Sequence, residues 1–252
     1  PANIDAAAGS VKHLEQIVAQ IRAAWGGVKI LIRADSGFCR EEIMAWCESN
    51  DVDYLLGLAK NDRLIAMIEA ESTQARQQFE ATGEPSRVFA ELRYQTLKTW
   101  GRERRVVAKA EHLSKGANPR FVVTSLREQD RAAGVLYEDD YCGRGEMENR
   151  IKEQQLHLFA DRTSAKTMRA NQVRLFCSSI AYVLLNALRR LGLTGTELAE
   201  AQCETIRTKL LKIGALVRVT VRKVWVKMSS SCPYAEVFRK VHTRLSCLSP
   251  PI

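Results

Sequence analysis

Three features of the sequence predict an α/β protein with an antiparallel β insertion and a helical, basic C-terminal region. Helix and strand patterns alternate up to Lys60, period-2 runs fill residues 88 to 126, and helical periodicity from Tyr141 onward leads into a segment rich in Lys and Arg. At the start, Leu14, Ile17, Val18, Ile21 and Trp25 recur at the spacing of one helix face, with Ser10 as N-cap and Gly26-Gly27 as the stop. Val28 to Asp35 reads as a strand running into a Ser36-Gly37 turn, and Glu41 to Glu48 as a short helix with Ile43, Trp46 and Cys47 inward. Val52 to Ala59 is short and apolar, as a buried parallel strand is.

Beyond Asn61-Asp62 a helix is expected through Leu64, Ile65, Ile68 and Phe79. Three antiparallel strands then follow at Val88 to Leu97, Arg104 to Ala110 and Phe121 to Leu126, with a tip near Thr99-Trp100-Gly101. Helices are expected from Glu146 to Phe159, Asn171 to Leu191 and Thr196 to Ile213. The stripe Phe176, Cys177, Ile180, Val183, Leu184, Leu188 reads as core packing. From Val217 to Met228 apolar and basic residues alternate, and the phase slip at Arg222-Lys223 reads as a β-bulge in one strand.

The composition excludes several classes. A chain of 252 residues with 46% hydrophobic residues is not disordered, and 14 Gly and 6 Pro without a repeat exclude collagen-like and low-complexity chains. The most apolar stretch, Leu175 to Leu188, falls short of the about 20 residues of a membrane span. Seven cysteines without a C-x-x-C pair fit free thiols in a reducing, cytoplasmic compartment, and four scattered histidines show no metal-ligand spacing. The sequence begins Pro-Ala-Asn, which is read as a piece of a longer protein.

The net charge of +9 is localised. Basic and acidic residues balance over residues 1–204, whereas residues 205–252 carry ten Lys and Arg against Glu236 alone. Such a patch attracts a polyanion, and nucleic acid is the expected partner; a solvated basic tail is the plain alternative.

Two carboxylates stand out. Asp35 closes a largely apolar strand, and the crevice beyond strand carboxyl ends is where open α/β sheets bind ligands; it is a candidate metal ligand or, alternatively, a turn cap. Tyr141, Arg144 and Glu148 fall at i, i+3 and i+7, one face of a helix, with Lys152 continuing the stripe. Arg matches phosphate oxygens bidentately, so this face suits a phosphate and its metal, although a surface ion-pair ladder would use the same residues.

With both motifs in view, the sequence resembles the DDE-type transposases of bacterial insertion sequences, with a transposase DDE domain of group 1 type. Ile32-Arg33-Ala34-Asp35-Ser36-Gly37-Phe38 is similar to the segment around that family's second catalytic Asp, and Tyr141 to Asn149 to its Y-x-x-R-x-x-x-E signature, with Glu148 as the catalytic Glu. The related signature carries a basic residue at position 155, where this sequence has Gln155; Lys152 is the substitute. The family's first Asp lies on a strand upstream of Pro1, and Asp5 reads as a helix cap instead.

The resemblance implies an RNase H-like catalytic core whose first part is residues 1–60, with a helix and β insertion at 61–130, the remainder of the core with the Glu helix at 131–192, and a basic region at 193–252. It implies Asp35 and Glu148 as catalytic residues and ligands of two Mg²⁺ (or Mn²⁺) ions about 4 Å apart. Tyr141, Arg144 and Lys152 would contact phosphate, Arg218, Arg222, Lys223 and Lys227 would track the backbone of double-stranded DNA, and Trp100 near the insertion tip is a candidate to stack on a DNA end or, alternatively, a ring buried under the insertion. The expected reaction is cleavage at element ends followed by strand transfer, by a homodimer in a synaptic complex, with the 252-residue piece inactive alone. A non-catalytic DNA-binding module and a Mg²⁺-dependent nuclease of the same fold are the alternatives.

Overall fold

Helix α1 (Ser10–Ala24) packs Val11, Leu14 and Val18 toward the core, as the spacing predicts. Gly9, in the left-handed conformation, occupies its N-cap, so Ser10 is the first helical residue and makes no side-chain cap bond. These coordinates form a computed structural model describing Ile4, Asp5 and residues 7–248; the side chain of Arg144 lies outside the described part. The chain divides into two compact units, residues 1–145 and 146–252.

The first unit is built on a sheet ordered β1-β2-β6-β4-β3, with β5 (Gly116–Ala117) paired to β4. Strand β1 (Leu31–Ala34) runs parallel to β2 (Asp53–Leu58), with α2 (Glu41–Ser49) between them in sequence. The strand expected from Val28 shortens to four residues because pairing with β2 starts at Leu31↔Asp53. After α3 (Asp62–Met67) and α4 (Glu69–Thr82) come β3 (Ser86–Tyr94), β4 (Arg104–Leu113) and β6 (Arg120–Thr124). These strands are antiparallel, as expected. β6 pairs directly with β2 through Leu55↔Thr124 to Leu58↔Phe121, so they extend the sheet that β1 begins.

Alternation along the strands assigns the two sheet faces. Tyr54, Leu56, Val106, Ala108, Phe121 and Val123 join Ile43, Met44 and Cys47 of α2 in one core, and Leu55, Val107 and Val122 meet Leu136 and Tyr137 in another. The latter two belong to a helical segment that starts with α5 (Ala133–Val135), widens to a π-helix at Leu136–Tyr141 and tightens to a 3-10 turn at Cys142–Arg144. Buried arginines brace the far end of the sheet. Arg104 is 3% exposed and bonds Glu41 and Glu48 through Nε and both Nη atoms, and Arg105 spans Glu91 and the Leu126 and Arg131 carbonyls.

The second unit contains α6 (Gly145–Lys152), which starts at the boundary, α7 (Met168–Leu188), α8 (Cys203–Ile206), a hairpin of β7 (Ala215–Val219) and β8 (Val224–Met228), and α9 (Ala235–Ser246). Its core holds Leu185, Leu193, Leu198, Cys203, Ile206, Leu210, Val237 and Val241. On α7 the buried residues are Ser178 and Leu185, with Tyr182 and Leu188 packed against the core, whereas Phe176, Ile180, Val183 and Leu184 are exposed. Of the stripe expected to be core, Leu188 packs against that core, whereas Phe176, Ile180, Val183 and Leu184 lie on the exposed side of the helix. Glu153 is 4% exposed and accepts the Cys203 N–H at 2.6 Å, with Arg150 and Arg189 as ion-pair partners. Burial alone would raise its pKa, but the Cys203 amide and Arg189 overrule that and hold it below the usual range.

The expected bulged strand at 217–228 is a hairpin instead. Val217↔Val226 and Arg218↔Trp225 are antiparallel pairs, and the chain reverses at Val221-Arg222. Thr220 closes the reversal: its N–H donates to the Lys223 carbonyl at 2.8 Å, and its hydroxyl donates to that carbonyl at 2.9 Å and accepts the Lys223 N–H at 3.1 Å. A two-residue turn changes alternation by the same single step as a bulge, which explains the misreading.

Candidate active site

The carboxyl end of β1 sets the position of Asp35. One step past the pair Ala34↔Leu56 the chain leaves the sheet, and Asp35 Oδ1 accepts the Gly37 N–H at 2.8 Å, capping a 3-10 turn at Ser36–Phe38. The turn-cap reading of Asp35 thus holds for one oxygen. The residue is exposed, and among the described residues it pairs with no cation. A carboxylate so placed remains available to a hard cation.

Opposite Asp35 on β2 is Gly57, and its missing side chain makes room for three groups. A Cβ there would meet the Tyr141 hydroxyl at 2.5 Å, the Ser36 nitrogen at 3.0 Å and the Asp35 carbonyl carbon at 3.3 Å. The Tyr141 hydroxyl and the Asp35-Ser36 backbone therefore border one small space above Gly57. Tyr141 reaches it through a chain of rings. Phe89 and Tyr137 stand 5.8 Å apart, Tyr137 and Tyr141 5.6 Å, and the Lys109 ammonium lies 5.2 Å from the Tyr137 centroid.

A second tie fixes the same segment to β1. Arg33 Nη1 donates to the Asp140 carbonyl at 2.7 Å, and a Cβ on Gly143 would lie 3.0 Å from that nitrogen. The Asp35 segment and the stretch from Asp140 to Gly143 are thereby joined within the first unit. Sequence reasoning did not single out Gly57 or Arg33. The available signal was a lone Gly inside an apolar strand, which marks close backbone approach.

The remaining candidates are placed as follows. Tyr141 ends the π-helix, Arg144 ends the 3-10 turn, and Glu148 and Lys152 are exposed on α6. The helix form changes twice between Tyr141 and Glu148, so the expected single face of a regular helix does not apply to these residues. Asp5 accepts the Ala7 N–H at 2.9 Å and pairs with Arg40 at 3.1 Å, capping a turn before α1. Its pKa is lowered first by the Ala7 amide and then by Arg40.

Trp100 follows the alternative of a ring buried under the insertion. It is 7% exposed, stands edge-on to Tyr94 at 5.7 Å, and has the Arg104 guanidinium 5.6 Å from its centroid. Its ring is part of the core and presents no face for stacking on a DNA end. Arg218, Lys223 and Lys227 are exposed on the hairpin strands or their edge, and Arg222 sits in the turn. All seven cysteines are free. Among the described residues no group of three or more His, Cys, Asp or Glu side chains is placed to hold a metal, and no helix is long and apolar enough to cross a membrane.

The family described as transposase DDE domain group 1 covers residues 1–250, and the chain belongs to it. No curated protein matches the chain.

Proposed function

We propose that the chain carries catalytic residues of a DNA transposase that cleaves element ends and joins them to target DNA, with an RNase H-like core, double-stranded DNA as substrate and a homodimer as the working form in the cytoplasm. The observation that carries this reading is the space above Gly57, which groups Asp35-Ser36 with the Tyr141 hydroxyl. Family membership supplies the reaction class.

In this reading Asp35 and Glu148 are carboxylate ligands of Mg²⁺ or Mn²⁺. Asp35 has the right donor chemistry, a hard exposed oxygen with no competing cation among the described residues. The bound ions supply Lewis-acid stabilisation of the phosphoryl oxygens. Tyr141 and Arg144 position the scissile phosphate, the guanidinium bidentately, and Lys152 takes a flanking phosphate. Arg33, bonded to the Asp140 carbonyl, holds this segment to the strand that ends in Asp35. In hydrolysis the attacking water's oxygen bonds to phosphorus as the P–O3′ bond at the element end breaks; one water proton goes to the leaving 3′ oxygen and the other to solvent. The freed 3′-hydroxyl then attacks a target phosphodiester, forming one P–O bond as another breaks.

The test is excision and joining of a marked element in cells. Asp35→Asn and Glu148→Gln should each lower transposition by about 10³-fold or more while DNA binding persists. Transposition within about threefold of wild type in either variant would remove that residue from the catalytic set.

A further inference from the structure

The β7–β8 hairpin has two chemically different faces. Ala215, Val217 and Val219 of β7 share one face with Val224, Val226 and Met228 of β8, and that face is entirely apolar. The other carries Leu216 and Arg218 on β7 and Trp225 and Lys227 on β8, with Lys223 two residues before Trp225 on the same side. Arg218 pairs across the strands with Trp225, and the Lys223 ammonium lies 5.7 Å from its centroid. Trp225 is 58% exposed.

These cations lack partners of opposite charge. Among the described residues Arg218, Lys223 and Lys227 form no ion pair, and Glu236, the one acid of residues 205–252, is paired with Arg239. Covering the apolar face satisfies the valines, but burying the other would strand three charges without compensation. The Trp225 face therefore belongs in water or against an anion.

We infer that this face is a binding surface for single-stranded DNA, with Trp225 as the stacking platform and Arg218, Lys223 and Lys227 as phosphate contacts. Lys223 and Lys227 flank Trp225 at i−2 and i+2, a span of about 14 Å at strand rise, so one ring is bracketed by two cations along a strand. Duplex DNA would use the cations and leave the ring idle, because its bases are already stacked. An unpaired base offers a π-face to Trp225 while its neighbouring phosphates meet the lysines. The inference deepens the transposase reading, which it uses only for the source of the single strand, the unpaired ends that DNA cleavage can produce.

The test measures anisotropy of labelled oligo(dT) and of a duplex of equal length bound to the full 252-residue chain at fixed salt. Trp225→Ala should weaken oligo(dT) binding at least about fivefold and duplex binding less than twofold, and Trp225→Phe should restore most of the loss. Lys223→Gln with Lys227→Gln should weaken both and lower the salt slope for single strands by about 1.4. Oligo(dT) should also quench the fluorescence that wild type has and Trp225→Phe lacks. An unchanged oligo(dT) affinity in Trp225→Ala, equal losses on single strand and duplex, or absence of that quenching would overturn the inference. Asp35→Asn and Glu148→Gln should leave this binding intact, so a failed transposase reading and a failed hairpin inference give different results.

Discussion

Trp100 and Trp225 each have a cation near the ring, at 5.6 and 5.7 Å, yet one is 7% exposed and the other 58%. The difference lies in the carboxylates. Around Trp100 the charge of Arg104 is consumed by Glu41 and Glu48, and Glu48 takes further bonds from Tyr54 and Arg102. Neutralised in this way, guanidinium and ring can both be buried, and the cluster holds the sheet together. Around Trp225 no acid among the described residues is paired with Lys223, and the same pairing of ring and cation stays at the surface. A cation beside an aromatic ring thus carries no functional meaning by itself; the local supply of carboxylates decides between scaffold and binding surface.

The comparison breaks most visibly in stability. Trp100→Ala should cost about 3–5 kcal/mol in urea unfolding, as removal of a buried Trp does, whereas Trp225→Ala should stay within about 0.5 kcal/mol. Equal costs would erase the distinction. Arg104→Met should cost about 3 kcal/mol, at the lower end for a broken buried pair because Tyr54 and Arg102 remain on Glu48.

Acid titration sharpens the same contrast. Burial alone would raise the Glu48 pKa, but hydrogen bonds from Arg104, Tyr54 and Arg102 bring it from 4.5 down to about 2. Its folded-state pKa is depressed, so its contribution is complete above pH 4.5 and is lost as the pH falls through about 2. In Arg104→Met the acid loss should begin at higher pH; an unshifted profile would show that the pair does not govern it.

A smaller effect is expected above Gly57. Gly57→Ala places a methyl 2.5 Å from the Tyr141 hydroxyl and should cost about 1–3 kcal/mol. Tyr141→Phe removes the hydroxyl, so the double variant should recover about 1 kcal/mol, measured as coupling in a double-mutant cycle. Strict additivity would mean that hydroxyl and strand do not share the space.

Much of the first unit was legible because periodicity reports burial directly. The parallel pair β1–β2, the inner face of α2 and the position of Asp35 at a strand end follow from apolar spacing. Trp100 lies in the β3–β4 connection, as the spacing predicts, but the choice between a stacking and a buried ring depends on Tyr94 and Arg104, contacts that no local pattern encodes. The hairpin was misread because Val221-Arg222 carries none of the usual turn residues, and the Thr220 hydroxyl closes the reversal instead. At the site, Asp35 and Tyr141 were recognisable as motifs, but what joins them is the absence of a side chain at Gly57 and a bond from Arg33 to a backbone carbonyl.

The central claim is that Asp35 and Tyr141 belong to one cation-dependent site. Its most direct test is ¹⁹F NMR of the chain with fluorotyrosine at its six tyrosines during Mn²⁺ titration, the Tyr141 signal being assigned with Tyr141→Phe. The account predicts selective paramagnetic broadening of the Tyr141 resonance, abolished by Asp35→Asn. Broadening that is uniform across the tyrosines, or that persists in Asp35→Asn, would contradict it.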